Sequence, residues 1–280
     1  MTLPHKSAAP DDITAVKQYW NDNPLGSLES PYAVGTREFF DWHHHVRDYD
    51  EGQFTYSMYE FEKHAGERVL DIGCGNGWLV WNFAKNGANI TGLDLTPNAV
   101  ELTQKRLAVY NLAGTIQVGN AEHLPFPNGS FDYMTSAGVL HHTPNTEQAV
   151  SEAVRVLRVG GRGMISFYYR HPVMSPALWP ITRFFVRLLF KTVPGRSQFM
   201  TVETPDDLVR LYDGNNNPIG KAYSRADMRR MMPNCKFEKF EIHYFPTRFL
   251  LGEKAPKFLR VILDRMLGLM IYAKFKKISE

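Results

Sequence analysis

Residues 69–77 read Val-Leu-Asp-Ile-Gly-Cys-Gly-Asn-Gly. A short run of strand-forming residues leads straight into three glycines at alternate positions, Gly73, Gly75 and Gly77, and helical spacing over Trp78–Ala84 follows at once. Glycines in such a turn let the backbone pass close to a ligand with no side chain in the way. The spacing is GxGxG. The dinucleotide fingerprint GxGxxG needs a glycine at 78, where this chain has Trp78. Strand, glycine turn and helix open a βαβ unit, and a chain that repeats the unit builds a parallel sheet with helices on its faces.

The repeat runs to Tyr168. Strands are predicted at Arg68–Ile72, Asn89–Asp94, Gly114–Val118, Phe131–Thr135 and Gly163–Tyr168, with helices after the first, second and fourth. Thr96 is placed to cap a helix that starts at Pro97, and another helix is predicted over Glu147–Leu157 before the Gly160-Gly161 turn. Four segments follow. Residues 1–65 form a leader dense in aromatics and histidines, expected to act as a cap; 66–169 form the ligand-binding core; 170–222, rich in proline and turns, form an insertion lid; 223–280 complete the core sheet with a strand, a helix and a last strand, Leu269–Phe275. Removing residues 1–50 is expected to leave a folded core.

An acidic residue closes the second strand, Asp94, and a carboxylate there has the acceptor lone pairs to hold both hydroxyls of a ribose. With that, the chain resembles the class I S-adenosylmethionine-dependent methyltransferases, in particular the group similar to the ubiquinone/menaquinone-biosynthesis type. Leu70 to Gly77 is similar to that family's first motif. Gly119-Asn120-Ala121-Glu122-His123-Leu124-Pro125-Phe126 is similar to its adenine-side motif, with Asn120 where the family usually has Asp. Ser136 to His142 matches the exit of its fourth strand, and Leu157 to Gly161 the turn before the fifth. The resemblance implies a Rossmann-like, mostly parallel, seven-stranded sheet and S-adenosylmethionine as cofactor. It places Gly73, Cys74, Gly75 and Gly77 near the methionine part, Asp94 on the ribose, Leu95, Asn120, Ala121 and Glu122 at the adenine, and Ser136 in the same site. Asp71 either binds the cofactor's amino group or anchors the turn. His141 and His142 follow the fourth strand; a general base there and a purely structural role stand side by side. Transfer to an O, N, S or C atom of a small, partly hydrophobic acceptor is the activity implied. A nicotinamide-dependent oxidoreductase, disfavoured by Trp78, and a non-catalytic cofactor-binding protein are the rivals.

Other features narrow the class. With 32 basic and 29 acidic residues the formal charge is +3, too small to point to nucleic acid, and 44% hydrophobic residues exclude disorder for most of the chain. Two cysteines, Cys74 and Cys235, make no disulfide framework and suit a reducing, cytoplasmic setting; Cys74 reads as a small buried filler. No apolar leader suggests a signal peptide, and no apolar run reaches the length of a membrane helix, so at most peripheral membrane contact is expected. His43, His44 and His45 are consecutive and cannot chelate together on a helix, and the spacing of His5, His64, His123, His171 and His243 fits no metal motif; no metal is assigned. On the lid, Arg183, Arg187 and Lys191 form one basic stripe on an otherwise apolar helix, Leu178–Lys191. The preferred reading is a helix that buries its apolar face on the core, with Trp179, Phe184 and Phe185 closing the acceptor pocket. The sharper one is a helix lying on an anionic membrane surface. Oligomeric state is left open.

Overall fold

The computed structural model describes residues 13–24, 30–191, 197–214, 217–245 and 255–280; the expectations concerning His5, the stretch 25–29 and the Asn215-Asn216 turn lie outside these described residues. Helices α1 (Ile13–Asp22) and α2 (Arg37–Tyr59) come first. Then β1 (Arg68–Ile72), α3 (Trp78–Lys85), β2 (Asn89–Asp94), α4 (Pro97–Val109), β3 (Thr115–Val118), β4 (Phe131–Ala137), α5 (Thr146–Val156) and β5 (Leu157–Tyr169) follow in alternation. The last part comprises α6 (Trp179–Phe190), α7 (Pro205–Tyr212), β6 (Ala222–Tyr223), α8 (Arg225–Met231), β7 (Cys235–His243), α9 (Lys257–Leu267) and β8 (Met270–Lys277).

The strands form one sheet in the order β3-β2-β1-β4-β5-β8-β7, parallel from β3 to β5, with β8 antiparallel to both of its neighbours. The expected seven strands become eight among the described residues, because Ala222–Tyr223 pair with Tyr168–Tyr169 at the end of β5. Two residues are too few to show any alternation. Strand β5 also starts earlier than the pattern suggests. Leu157 already pairs with Phe131, and the glycines at 160 and 161 sit at a register shift inside the strand rather than in a turn before it.

Both faces of the sheet are covered. Met58, Trp78, Val80, Phe83 and Leu107, from α2, α3 and α4, pack on one; Ala149, Val150, Ala153 and Met228, from α5 and α8, pack on the other. Helix starts follow local chemistry: the Thr96 hydroxyl accepts from the Ala99 amide and Pro97 opens α4, while Ser224 and Asp227 form a reciprocal capping box on α8.

Two expectations fail here. Helix α2 is core, since Phe39 and Phe40 are fully buried against Leu102 of α4, so cutting at residue 50 would open the interior rather than spare it. Helix α6 does not bury its apolar face. It inserts only Trp179 and Phe190 into a small satellite cluster with Phe199, Val202 and Leu208, and leaves Ile181, Phe184, Phe185, Leu188 and Leu189 between 50% and 62% exposed.

Chain order reverses between β1 and its neighbours: β2 and β3 extend to one side and β4 to the other. In open α/β sheets the crevice beyond the carboxyl ends of such strands is where ligands bind. The glycine loop, Asp94 and the histidine pair all lie there.

Candidate active site

The loop after β1 is pinned to β2. The amides of Gly73 and Cys74 both donate to the Leu93 carbonyl, at 2.7 and 3.1 Å. Gly73 has φ +79°, and a Cβ there would lie 2.3 Å from a Val139 methyl, so the crossing of the two loops admits no side chain. Gly75 (φ +55°) is different: no atom stands within 4 Å of its missing Cβ, and it lines an open cavity. Its amide donates to Asp94 Oδ2 at 3.0 Å, while Asp94 Oδ1 accepts from both the amide and the hydroxyl of Thr96 at 2.9 Å. The Leu95 amide addresses the carboxylate as well. Burial pushes the Asp94 carboxyl up, and these hydrogen bonds oppose it.

The cavity measures about 240 Å³. Of the residues singled out in the sequence, Gly73, Gly75, Asp94, Leu95, Asn120, Ala121, His141 and His142 line it together. Five do not. Cys74 lies behind the loop with the Thr103 hydroxyl 3.5 Å from its sulfur, and burial raises its thiol, as a buried filler requires. Gly77 caps α3 against Thr103, and Ser136 donates to the Ile72 carbonyl at 3.0 Å. Glu122 turns away and accepts the Asn145 amide at 2.6 Å at the start of α5. Asp71 is buried below the loop with Oδ1 unpartnered; burial pushes its carboxyl up to about 7 against the pull of the Arg47 guanidinium.

The remaining wall comes from elements far apart in sequence. Helix α1 contributes Trp20, α2 contributes Arg47 and Glu51, and Tyr168, Tyr212, Tyr244 and Tyr272 converge from β5, α7, the end of β7 and β8. None of these was singled out as a ligand; Arg47 in particular carried no signal beyond a charge in an aromatic leader. Its guanidinium stacks over the Trp78 ring at 4.6 Å and lies 3.4 Å from Glu51, with Nε buried and unpartnered. Burial holds the phenols of Tyr168, Tyr244 and Tyr272 well above their ordinary pKa, so they stay protonated. Trp179, Phe184 and Phe185 do not reach the cavity. The residues that do so from segment 170–222 are Tyr212 and Asp213.

Asp213 gathers three elements. Its Oδ2 accepts from Tyr168 at 2.8 Å and lies 3.2 Å from His142 Nε2, and its carbonyl accepts the Tyr19 hydroxyl of α1. His142 Nδ1 is 2.6 Å from the Ile219 carbonyl, so both ring nitrogens face acceptors, and Trp20 meets the ring edge-on at 5.0 Å. His141 differs. It is fully buried, its Nδ1 has no partner, and burial with His142 and Lys221 nearby holds it well below the usual histidine range, hence neutral. In the leader, His43 is buried against Asn76 at 3.2 Å, His44 accepts from Trp78 Nε1 at 3.2 Å and His45 is exposed, three directions from three consecutive residues.

A family profile described as a methyltransferase domain matches residues 70–165. A demethylmenaquinone methyltransferase of Tropheryma whipplei is 30% identical over 175 residues, 62% of this chain and 67% of that protein. The chloroplastic 2-methyl-6-phytyl-1,4-hydroquinone methyltransferase 2 of Oryza sativa is 38% identical over 121 residues, 42% of this chain but 32% of that protein. The match thus spans less than half the length of several of the curated relatives, 32% to 44%. Among solved structures, magnesium protoporphyrin IX methyltransferase from Synechocystis, with bound S-adenosylhomocysteine, superposes with a TM-score of 0.59 at 16% identity, over 95% of this chain and all of that one.

Proposed function

Because this chain belongs to the class I S-adenosylmethionine-dependent methyltransferases, we propose that it binds S-adenosylmethionine in the cavity beyond β1, β2 and β4 and methylates a small, partly hydrophobic acceptor at an O, N, S or C atom. The observation that carries this reading is the division of one cavity into two chemistries: glycine backbone, Asp94 and Asn120 on the side of β2 and β3, and a rim of aromatic rings with a neutral histidine beyond β4.

The residues fit the cofactor. The open face of Gly75 gives room for the sulfur-bearing chain, and the Asp94 carboxylate at the cavity wall takes a ribose hydroxyl. The orphaned Asp71 Oδ1 suits an ammonium, and the unpartnered Nε of Arg47 suits a carboxylate. Leu95 and Ala121 provide apolar contact for the adenine beside Asn120. Gly77, Cys74, Ser136 and Glu122 act by shaping the loops and strands around the site.

When bound, S-adenosylmethionine supplies a methyl group on a cationic sulfur, already activated for in-line displacement. The chain's own work is alignment and exclusion of water, an effect of about 7–11 kcal/mol when two reactants are held in register. Tyrosine and tryptophan faces also favour a cation by roughly 0.5–2 kcal/mol. His141, neutral and with Nδ1 free, takes the proton when an O–H or N–H acceptor reacts; His142 is held by Ile219 and Asp213 and positions the lid. Residues 1–65 serve as a cap through α1, and 170–222 as a lid through Tyr212 and Asp213. The quinone-related names of two relatives support an aromatic acceptor of that kind. The two buried free cysteines support a reducing, cytoplasmic setting.

The test is a screen of metabolite extracts with isotope-labelled S-adenosylmethionine, read by mass spectrometry. Labelled product with an aromatic skeleton is the expected result; a labelled protein or nucleic acid, or no S-adenosylhomocysteine binding at all, overturns the reading.

A further inference from the structure

Helices α6 and α9 present a surface that the methyl-transfer site does not use. On α6 the exposed side chains are Ile181, Phe184, Phe185, Leu188 and Leu189; on α9 they are Phe258, Ile262 and Met266, four residues apart and 49% to 68% exposed. A patch of large apolar groups this extensive is uncommon on a monomer's surface and marks a place where something binds.

Charge decides what binds. The 24 residues Trp179–Lys191 and Lys257–Leu267 hold six of the chain's 32 basic residues and one of its 29 acidic ones, a net of +5; the whole chain is +3, so everything else sums to −2. Of the acids near these helices Asp264 is turned inward, while Glu203 stays exposed. Glu203 bridges Arg183 and Arg187, and Asp264 is bonded to His243 Nδ1 at 2.7 Å and to the Phe245 amide at 2.9 Å. Lys191 and Arg265 stand exposed at the two helix ends. His171 Nε2, 3.0 Å from the Met266 carbonyl, ties the end of α9 to the chain that enters α6. Among the described residues no helix is long and apolar enough to cross a membrane, and α6 has only 12 residues. Short helices with an apolar face and a basic border lie in the plane of a bilayer interface.

We infer that the outer faces of α6 and α9 dock on an anionic lipid bilayer. Glu203 offsets part of the charge of Arg183 and Arg187, and Arg260 stacks on Tyr49, yet the exposed Lys191 and Arg265 leave the face net basic. Two copies meeting through it would set like charges together, which argues against self-association, whereas anionic headgroups complement it. The inference rests on the exterior of the molecule and stands apart from the acceptor's identity.

The test uses the full chain with vesicles of phosphatidylcholine and phosphatidylglycerol in equal parts, and with pure phosphatidylcholine, read by sedimentation. Partition onto the anionic vesicles should exceed that onto neutral ones by about tenfold and fall as salt rises. The double substitution Phe184→Ser, Phe185→Ser, and separately Ile262→Ser, should each weaken it by about tenfold or more, with melting temperature and S-adenosylhomocysteine binding unchanged. Failure of the full chain to sediment with anionic vesicles overturns the inference. So does a concentration-dependent dimer that the same substitutions dissolve.

Discussion

The two sides of the cavity are built in opposite ways. On the side of β2 and β3, the cavity is lined by glycine backbone and short side chains from Gly73 to Ala121, each fixed by its own turn: Leu93 holds the glycine loop, and Thr96 and Gly75 hold Asp94. Beyond β4, the wall is made by long side chains from six elements between Trp20 and Tyr272, and they are fixed by one another, above all at Asp213. A site made of backbone is rigid and suits a ligand that never changes. A site made of interlocked side chains is where a chain can alter its acceptor without disturbing its cofactor.

If that division holds, substitutions should separate into two kinds. The largest effect is expected at His141. His141→Phe should lower turnover by about 10²- to 10⁴-fold, the range of general-base catalysis, while S-adenosylhomocysteine affinity stays within a few-fold. Full turnover in this variant, once an acceptor is in hand, would remove the histidine from the chemistry.

Next comes Asp94→Ala, which should do the reverse. Loss of a charge-assisted hydrogen bond, worth about 1.5–3 kcal/mol, weakens S-adenosylhomocysteine binding by roughly 10- to 150-fold in calorimetry. Turnover at saturating cofactor should change far less. Comparable losses in binding and in saturated turnover would mean that the two halves are not separable.

A smaller effect belongs to Asp213→Asn. The amide keeps the shape but surrenders the charge that Tyr168 and His142 address, so kcat should fall about tenfold and KM for the acceptor rise, with cofactor affinity unmoved. Weakened cofactor binding would place Asp213 on the wrong side of the division.

The smallest signal is a proton. The Asp71 carboxyl, ordinarily near 3.8, is pushed up to about 7, so at neutral pH it is about half protonated. A bound ammonium favours the ionised form and lowers that value, so cofactor uptake should release about half a proton at pH 7, at least as much toward pH 5, and almost none at pH 9, where the carboxyl is already ionised. Calorimetry in buffers of different ionisation enthalpy measures it. Asp71→Asn should abolish the release; if the release persists, another group holds the amino end.

What the sequence made legible follows the same division. The glycine loop and Asp94 could be read because strand, turn and helix are contiguous, and a βαβ unit places the end of β2 beside the loop after β1. The pattern did not show which way a side chain leaves its turn. Glu122 directly follows the cavity-lining Asn120 and Ala121 yet satisfies the start of α5, and Ser136 alternates away from the cleft along β4. The tyrosines and Asp213 were illegible because their proximity is a product of tertiary structure: β5 and β8 pair antiparallel and bring Tyr168 and Tyr272, 104 positions apart in the chain, to one cavity. Periodicity on α6 revealed an apolar face but not what covers it, and nothing in the described structure does.

Helix α1 has a consequence for timing. It lies across both sides of the cavity, tied by Asn98 to the Asn21 carbonyl at 2.8 Å, by Tyr19 to Asp213, and by Trp20 to the ring of His142. On the proposed placement of the cofactor between Asp94 and His141, its exit requires this strap to lift, which breaks contacts on three elements at once. Such a strap is expected to let the first cycle run at the speed of the reacting groups and to set the pace of every later one. In rapid-mixing kinetics that is a burst of one methylated product per chain, followed by a slower linear phase that solvent viscosity and changes at Asn21 or Tyr19 adjust.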